Sequence, residues 1–193
     1  MAAGEGRRLR PLTERWPKPV LPLEGRPVIG SLLRELAAAG LTSPYVVVGH
    51  LAEEVEALVR DGSAFGVDVT YVRQLRADGS ADAVKRALEA GAEPPLIVVG
   101  ADKLFVPGTV GAFATAFAAS GADAALAIEP DGRPVPLWGF TETATAHLDG
   151  LPGPPYELLN AVQGLEVAQL EIGKARDLTD PLDLVRQNFP YLH

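Results

Sequence analysis

The sequence predicts an α/β fold: a Rossmann-like, mostly parallel sheet flanked by helices. Three observations carry that prediction. Two short β-branched runs, residues 45–49 (YVVVG) and 96–100 (LIVVG), read as buried strands. Stretches with apolar residues at helical spacing lie before and between them. The chain has 193 residues, 47% of them hydrophobic, which suffices for one domain with a real core.

Residues 27–39 place Val28, Leu32, Leu33 and Leu36 on one helical face, with Gly40 as the stop. After the strand at 45–49, residues 51–60 return to helical spacing, and 67–73 alternate as a strand does. Asp78-Gly79 is a turn that leads into a helix over 80–90, with Ser80 as its expected N-cap. The strand at 96–100 runs on to Asp102. A helix of small residues is expected over 110–121 and a strand over 123–128. Residues 129–155 are rich in Pro and Gly; within them Trp138–Phe140 reads as a short strand and 141–148 as a helix. Helix is expected over 156–164, strand over 167–172, and helix again over 180–188, capped by Asp180 with Pro181 in first position. The whole reads as a single domain, 1–193, with regular strand–helix alternation over 1–128 and a less regular remainder at 129–193.

Composition narrows the function. The formal net charge of −8 argues against nucleic-acid binding. There are no cysteines, which excludes disulfides and thiolate-held zinc, and the three histidines are scattered. No apolar run is long enough to span a membrane and none precedes Glu5 as a signal peptide would, so a cytoplasmic location is the expectation.

Against that acidic background one basic segment stands out. Gly4 and Gly6 flank a single residue, so the backbone can turn tightly and offer bare N–H groups. Arg7, Arg8 and Arg10 follow, with guanidinium forks that match phosphate oxygens. Lys18 then sits between Pro17 and Pro19, whose fixed φ stiffens its loop. Together these suggest a polyphosphate site. Farther along the chain, Asp102 just past a strand end is a natural place to hold a divalent cation over phosphate.

The block as a whole resembles the signature of sugar-1-phosphate nucleotidyltransferases, G-x-G-[ST]-R-L-x-P-L-T followed by P-K-P-[ML]-L-P. Gly4, Gly6, Arg8, Leu9, Pro11, Leu12, Thr13, Lys18, Leu21 and Pro22 fit; Arg7 stands where Ser or Thr is usual. Residues 61–79 are similar to the matching stretch of glucose-1-phosphate thymidylyltransferases, in which a Gln and a Gly contact the pyrimidine base. Those roles fall on Gln74 and Gly79. The segment around Asp177 resembles a late D-[IV]-[GN]-T-P-E-D-L element, with Asp180 for the usual Thr and Leu182 for the usual Glu. Asp183 reads as a helix-surface residue.

The resemblance implies the transfer of a nucleoside monophosphate from an NTP, dTTP or UTP, to a sugar 1-phosphate, with magnesium as cofactor. It implies that Ala3, Gly4 and Gly6 cradle the nucleotide and Arg8 holds the triphosphate. Lys18 would bridge the α-phosphate and the incoming phosphate, and Asp102 and Asp177 would hold the metal. A homo-oligomer is compatible with it. The family's sugar-side E-K-P element has no matching Lys here; Lys174 and Arg133 are the candidate substitutes. Two other readings remain: transfer to a different phosphorylated acceptor, and a non-catalytic nucleotide-binding or regulatory module.

Family members also carry an apolar strand before the glycine turn, whereas this chain opens Met1-Ala2-Ala3-Gly4. In a doubly wound order that strand lies between those at 45–49 and 96–100. Two expectations follow: that Met1 is an internal start and the working protein is longer, or that another strand, from this chain or a partner, fills the place.

Overall fold

A computed structural model describes residues 1–149 and 157–189. The glycine turn and the lysine loop come first, as three short 3-10 turns. A small ribbon follows, β1 (Pro22–Leu23) against β2 (Arg26–Pro27), then helix α1 (Val28–Ala38). Strand β3 (Tyr45–Val48), helix α2 (Ala52–Val59), strand β4 (Thr70–Arg73), helix α3 (Ser80–Glu89) and strand β5 (Leu96–Val99) alternate as the pattern requires. β6 (Lys103–Leu104) and α4 (Thr109–Ser120) lead into the second half. That half holds β7 (Ala124–Ile128), β8 (Pro134–Phe140), α5 (Glu142–Asp149), α6 (Leu158–Ala161), β9 (Val167–Glu171), β10 (Arg176–Asp177) and α7 (Pro181–Asn188).

The layers follow from strand alternation. Ala125 and Ala127 of β7 face a core built with Leu33 and Leu36 of α1, Val55 of α2 and Phe113 and Phe117 of α4. Their neighbours Ala124 and Leu126 face the opposite way, onto Ala144 and Leu148 of α5 and Leu158 of α6. Successive strand residues point to opposite faces, so a run that is apolar throughout must be covered on both. β3 and β4 pair in parallel, and a separate four-stranded mixed sheet runs in the order β5-β8-β7-β9. The seven-residue β8 pairs antiparallel with both β5 and β7, so the strand read as 138–140 is longer than its apolar signal. Its first three residues, Pro134 to Pro136, carry no strand pattern in sequence.

Between β3 and β5 a strand's place is filled only at one end. Ala2 pairs in parallel with Val48, and its N–H donates to the Val47 carbonyl at 2.7 Å. The Met1 nitrogen donates to the Val99 carbonyl at 2.7 Å, and Ala101 N–H to the Met1 carbonyl at 2.8 Å. Beyond Met1 lies a slot of about 480 Å³, lined by Leu33 and Leu36 of α1, Val84 and Ala87 of α3, and Val47 and Val99. Met1 and Ala2 thus bridge β3 and β5 at one end of the place expected for this strand, without forming a strand there.

Two local expectations are corrected. Ser80 is not the N-cap of α3; Gly79 is, and the Ser80 hydroxyl instead donates to Glu157 and accepts from Leu158 N–H. Asp183 is not a plain surface residue of α7. It completes a capping box with Asp180, its carboxylate accepting from the N–H groups of Thr179 and Asp180. The helix expected over 156–164 is observed as Leu158–Ala161, and residue 156 lies outside the described residues.

Candidate active site

The glycine turn is shaped by one side chain behind it. Gly6 has φ +60°, and a Cβ there would lie 2.9 Å from the Thr13 methyl. Thr13 is buried, and its hydroxyl donates to the Gly6 carbonyl at 2.9 Å. Glycine at this position therefore satisfies both a left-handed backbone and close packing. The three arginines then divide. Arg7 and Arg10 both lie against Glu5, at 2.8 and 3.6 Å. Among the described residues Arg8 has no ion-pair or hydrogen-bond partner, and it lines the cleft.

The Lys18 loop is anchored by the burial of Pro17 and Pro19 on either side. This aims the lysine inward, its side chain only 12% exposed. Lys18 Nζ lies 2.6 Å from Asp102 Oδ2 and 3.3 Å from Asp177 Oδ1. The two carboxylate oxygens are therefore no farther apart than the sum of those distances. Chain ends and middle meet here because β6 pairs antiparallel with β10, putting Lys103 opposite Asp177 just after Asp102. Burial alone would raise the Asp177 pKa. The hydrogen bond from Lys103 and the charges of Lys18 and Lys103 outweigh it, with help from Thr179, and hold the carboxyl below its ordinary value.

A cleft of about 470 Å³ opens over this cluster. The turn residues Ala3, Gly4, Gly6 and Arg8 line it together with Lys18, Asp102, Gln74 and Gly79. Gln74 is 7% exposed, and its Nε2 donates to the Gly79 carbonyl (3.0 Å) and to Asp82 Oδ2 (2.8 Å). Two acceptors on that side fix the amide's orientation, so Oε1 is the atom left for the cleft. Asp102 and Asp177 converge on one cation, and their all-oxygen donor set suits magnesium. Among the described residues no cluster of three or more His, Cys, Asp or Glu could hold a metal unaided. Phosphate oxygens and water would have to complete its shell, as magnesium prefers.

Known proteins share this arrangement of sequence. The nucleotidyl transferase family matches residues 1–143. The chain belongs to that family. The N-acetylmuramate alpha-1-phosphate uridylyltransferase of Neisseria meningitidis is 39% identical over 120 residues, covering 60% of this chain and 51% of that protein. The glucose-1-phosphate thymidylyltransferase of Streptomyces antibioticus is 43% identical over 84 residues, 44% of this chain and 24% of the relative. This nucleotidyl transferase chain spans between 18% and 51% of the length of the first such relatives. The solved UDP-glucose pyrophosphorylase from Acinetobacter baumanii superposes with a TM-score of 0.79, covering 98% of this chain and 90% of that one. At 18% identity that likeness shows the fold alone.

Ala3, Gly4, Gly6, Arg8, Lys18, Gln74, Gly79 and Asp102 line the cleft, and Asp177 reaches it only through its contact with Lys18. Lys174 and Arg133 do not come to it: Lys174 is exposed, and Arg133 is engaged with Glu129 and Asp131. Nor does Asp177 pair with Arg176, which binds Glu24. Glu157 and Lys103 went unnoticed in the sequence, and Ser80 reads there only as a helix cap. Ser80 and Glu157 join at the rim, and Lys103 reaches Asp177 at 2.6 Å. The register of a two-residue ribbon puts Lys103 there, and nothing in the pattern announces so short a pairing.

Proposed function

We propose that this nucleotidyl transferase joins a nucleoside monophosphate to a sugar 1-phosphate, releasing pyrophosphate and an NDP-sugar. The single observation that carries the reading is the Lys18 ammonium held between Asp102 and Asp177 beneath a glycine turn. One oxygen of the sugar phosphate attacks the α-phosphorus of the NTP in line. The bond from the α-phosphorus to the bridging oxygen breaks, and pyrophosphate leaves with both electrons. The nucleophile is already an anion, so the protein needs no general base; its task is to position two anions and neutralise charge.

In this reading the backbone of Ala3, Gly4 and Gly6 lies along the triphosphate, and the unpartnered Arg8 holds the β- and γ-phosphates and then the leaving group. Lys18, freed from the carboxylates when phosphate arrives, spans the α-phosphate and the incoming phosphate. Asp102 and Asp177 hold magnesium, which when bound would offset charge on the phosphate oxygens. Gln74 Oε1 accepts from the imide N–H of uracil or thymine, whereas cytosine presents an acceptor at that position. UTP and dTTP are therefore the favoured donors. The chain acts as one domain, its first 128 residues serving the nucleotide and the rest the acceptor, in the cytoplasm where both substrates reside.

Pyrophosphate release with magnesium, measured across four NTPs and a panel of sugar 1-phosphates, tests this. Turnover with UTP or dTTP and at least one sugar phosphate is expected. Nucleotide binding without any pyrophosphate release would favour the non-catalytic module. Release only with non-sugar phosphates would change the acceptor.

A further inference from the structure

We infer that Lys103 is a positioning residue that keeps the acidic pair charge-compensated, so that a divalent cation enters with the nucleotide's phosphates rather than ahead of them. This rests on the reading of Asp102 and Asp177 as metal holders. The Lys103 ammonium touches Asp177 Oδ2 at 2.6 Å, with its side chain 16% exposed. Thr179 donates to the same oxygen at 2.9 Å. The other oxygen, Oδ1, faces Lys18. Asp177 is thus engaged on both sides, and Lys103 is fixed by strand register, being paired directly across the ribbon.

Formal charges explain the consequence. Two carboxylates stand against two ammoniums, so a free divalent cation meets a cluster with no net attraction. It must also displace Lys18, which has no other anionic partner among the described residues. A triphosphate supplies that anion and brings its own negative charge. Paired across the ribbon, Lys103 holds Oδ2 and leaves Oδ1, the oxygen that faces Lys18, as the atom Asp177 can offer to a metal.

The experiment is manganese binding to the nucleotide-free protein, read by the loss of the free-ion paramagnetic resonance signal. Lys103→Met should bind manganese about tenfold more tightly than the unmodified chain, because one positive charge within a few ångströms is gone. Lys103→Gln, which keeps a hydrogen-bond donor for Asp177, should gain as well; Lys103→Arg should match the unmodified chain. The gain should vanish when Asp177→Asn is added. Unchanged or weaker binding in both Lys103→Met and Lys103→Gln overturns the inference, as does a gain that survives Asp177→Asn. The readout needs no turnover. If the unmodified chain releases pyrophosphate while the lysine variants bind manganese no better, the catalytic reading stands and this inference falls.

Discussion

The ammonium of Lys18 lies 2.6 Å from the Asp102 carboxylate, a contact made across 84 positions of sequence and reinforced by Asp177 at 3.3 Å. A cation so placed holds two acids together, and in the proposed reaction it turns to phosphate when substrate arrives. Lys18→Met should therefore lower kcat for pyrophosphate release by at least about a hundredfold, the scale of losing one electrostatic contact to the reacting group. Asp102→Ala should abolish turnover while the far-UV circular dichroism stays unchanged. Retained turnover in either variant would remove the cluster from the chemistry.

Gln74 gives a separate test. Its amide nitrogen is tied to Asp82 and Gly79, so only its oxygen can meet a base. Gln74→Ala should weaken UTP binding about tenfold, the scale of one lost hydrogen bond in a closed site. Nucleotide titration calorimetry reads it. The unmodified chain should prefer UTP over ATP, and equal affinities would count against base reading here.

Much of this was legible in sequence, for identifiable reasons. The alternation of 45–49 and 96–100 with helical stretches predicted β3, β5 and the helices between them, because burial on both faces forces continuous apolar runs. The Gly4–Lys18 block could be read as one local group because turn and cations lie close together in the chain, and its Gly4, Gly6, Arg8 and Lys18 do line one cleft. What escaped depended on long-range pairing. The first residues of β8, which pair with β7, and the two-residue strands β6 and β10 owe their form to neighbours, and Lys103 reaches Asp177 through the β6–β10 pairing. Ser80 was misread because its hydroxyl had an unforeseen partner, Glu157, 77 positions away.

Packing makes a stability prediction at Gly139. A Cβ there would overlap the ring of Phe117, which is itself buried against the sheet. Gly139→Ala should cost about 2 kcal/mol or more, as overpacking does in a filled core. Urea unfolding should show a lowered midpoint with an unchanged slope. An unchanged midpoint would mean that α4 yields freely.

Acid should loosen the cluster in a signed way. The folded-state pKa of Asp177 lies below its ordinary 3.8, through Lys103 and Lys18 prevailing over burial. Its contribution to stability is therefore present above the unfolded-state value and is lost as pH falls through the folded one. The stability gap between the unmodified chain and Asp177→Asn should be larger at pH 7 than at about pH 3. Equal gaps at both would show that the ion pairs do not contribute.

The slot between β3 and β5 supplies the last prediction. Val48 accepts from Gln74 N–H and Pro44 from Thr70 N–H on the β4 side. By strand alternation, Tyr45 and Val47 then turn their backbone groups toward the slot. On the other side Gly100 N–H bonds the Pro136 carbonyl of β8, so Ile97 and Val99 turn theirs toward it too. Two inner edges thus face each other across about 480 Å³ of apolar space, with Met1–Ala3 entering from one end. An apolar strand there would pair with both edges at once and bury its side chains against α1 and α3. Each ladder bond made in that interior adds roughly 1 kcal/mol, besides the apolar area removed from water. Joining five residues such as Val-Ile-Ile-Leu-Val directly to Met1 should raise the melting temperature by several degrees. It should also slow amide exchange at Val47 and Val99, and raise specific activity by steadying the glycine turn that follows Ala3. The same five positions filled with Gly and Ser should do none of these. If the apolar extension leaves melting and exchange where they were, β3 and β5 do not need a strand between them, and the turn is held by Thr13 and its neighbours alone.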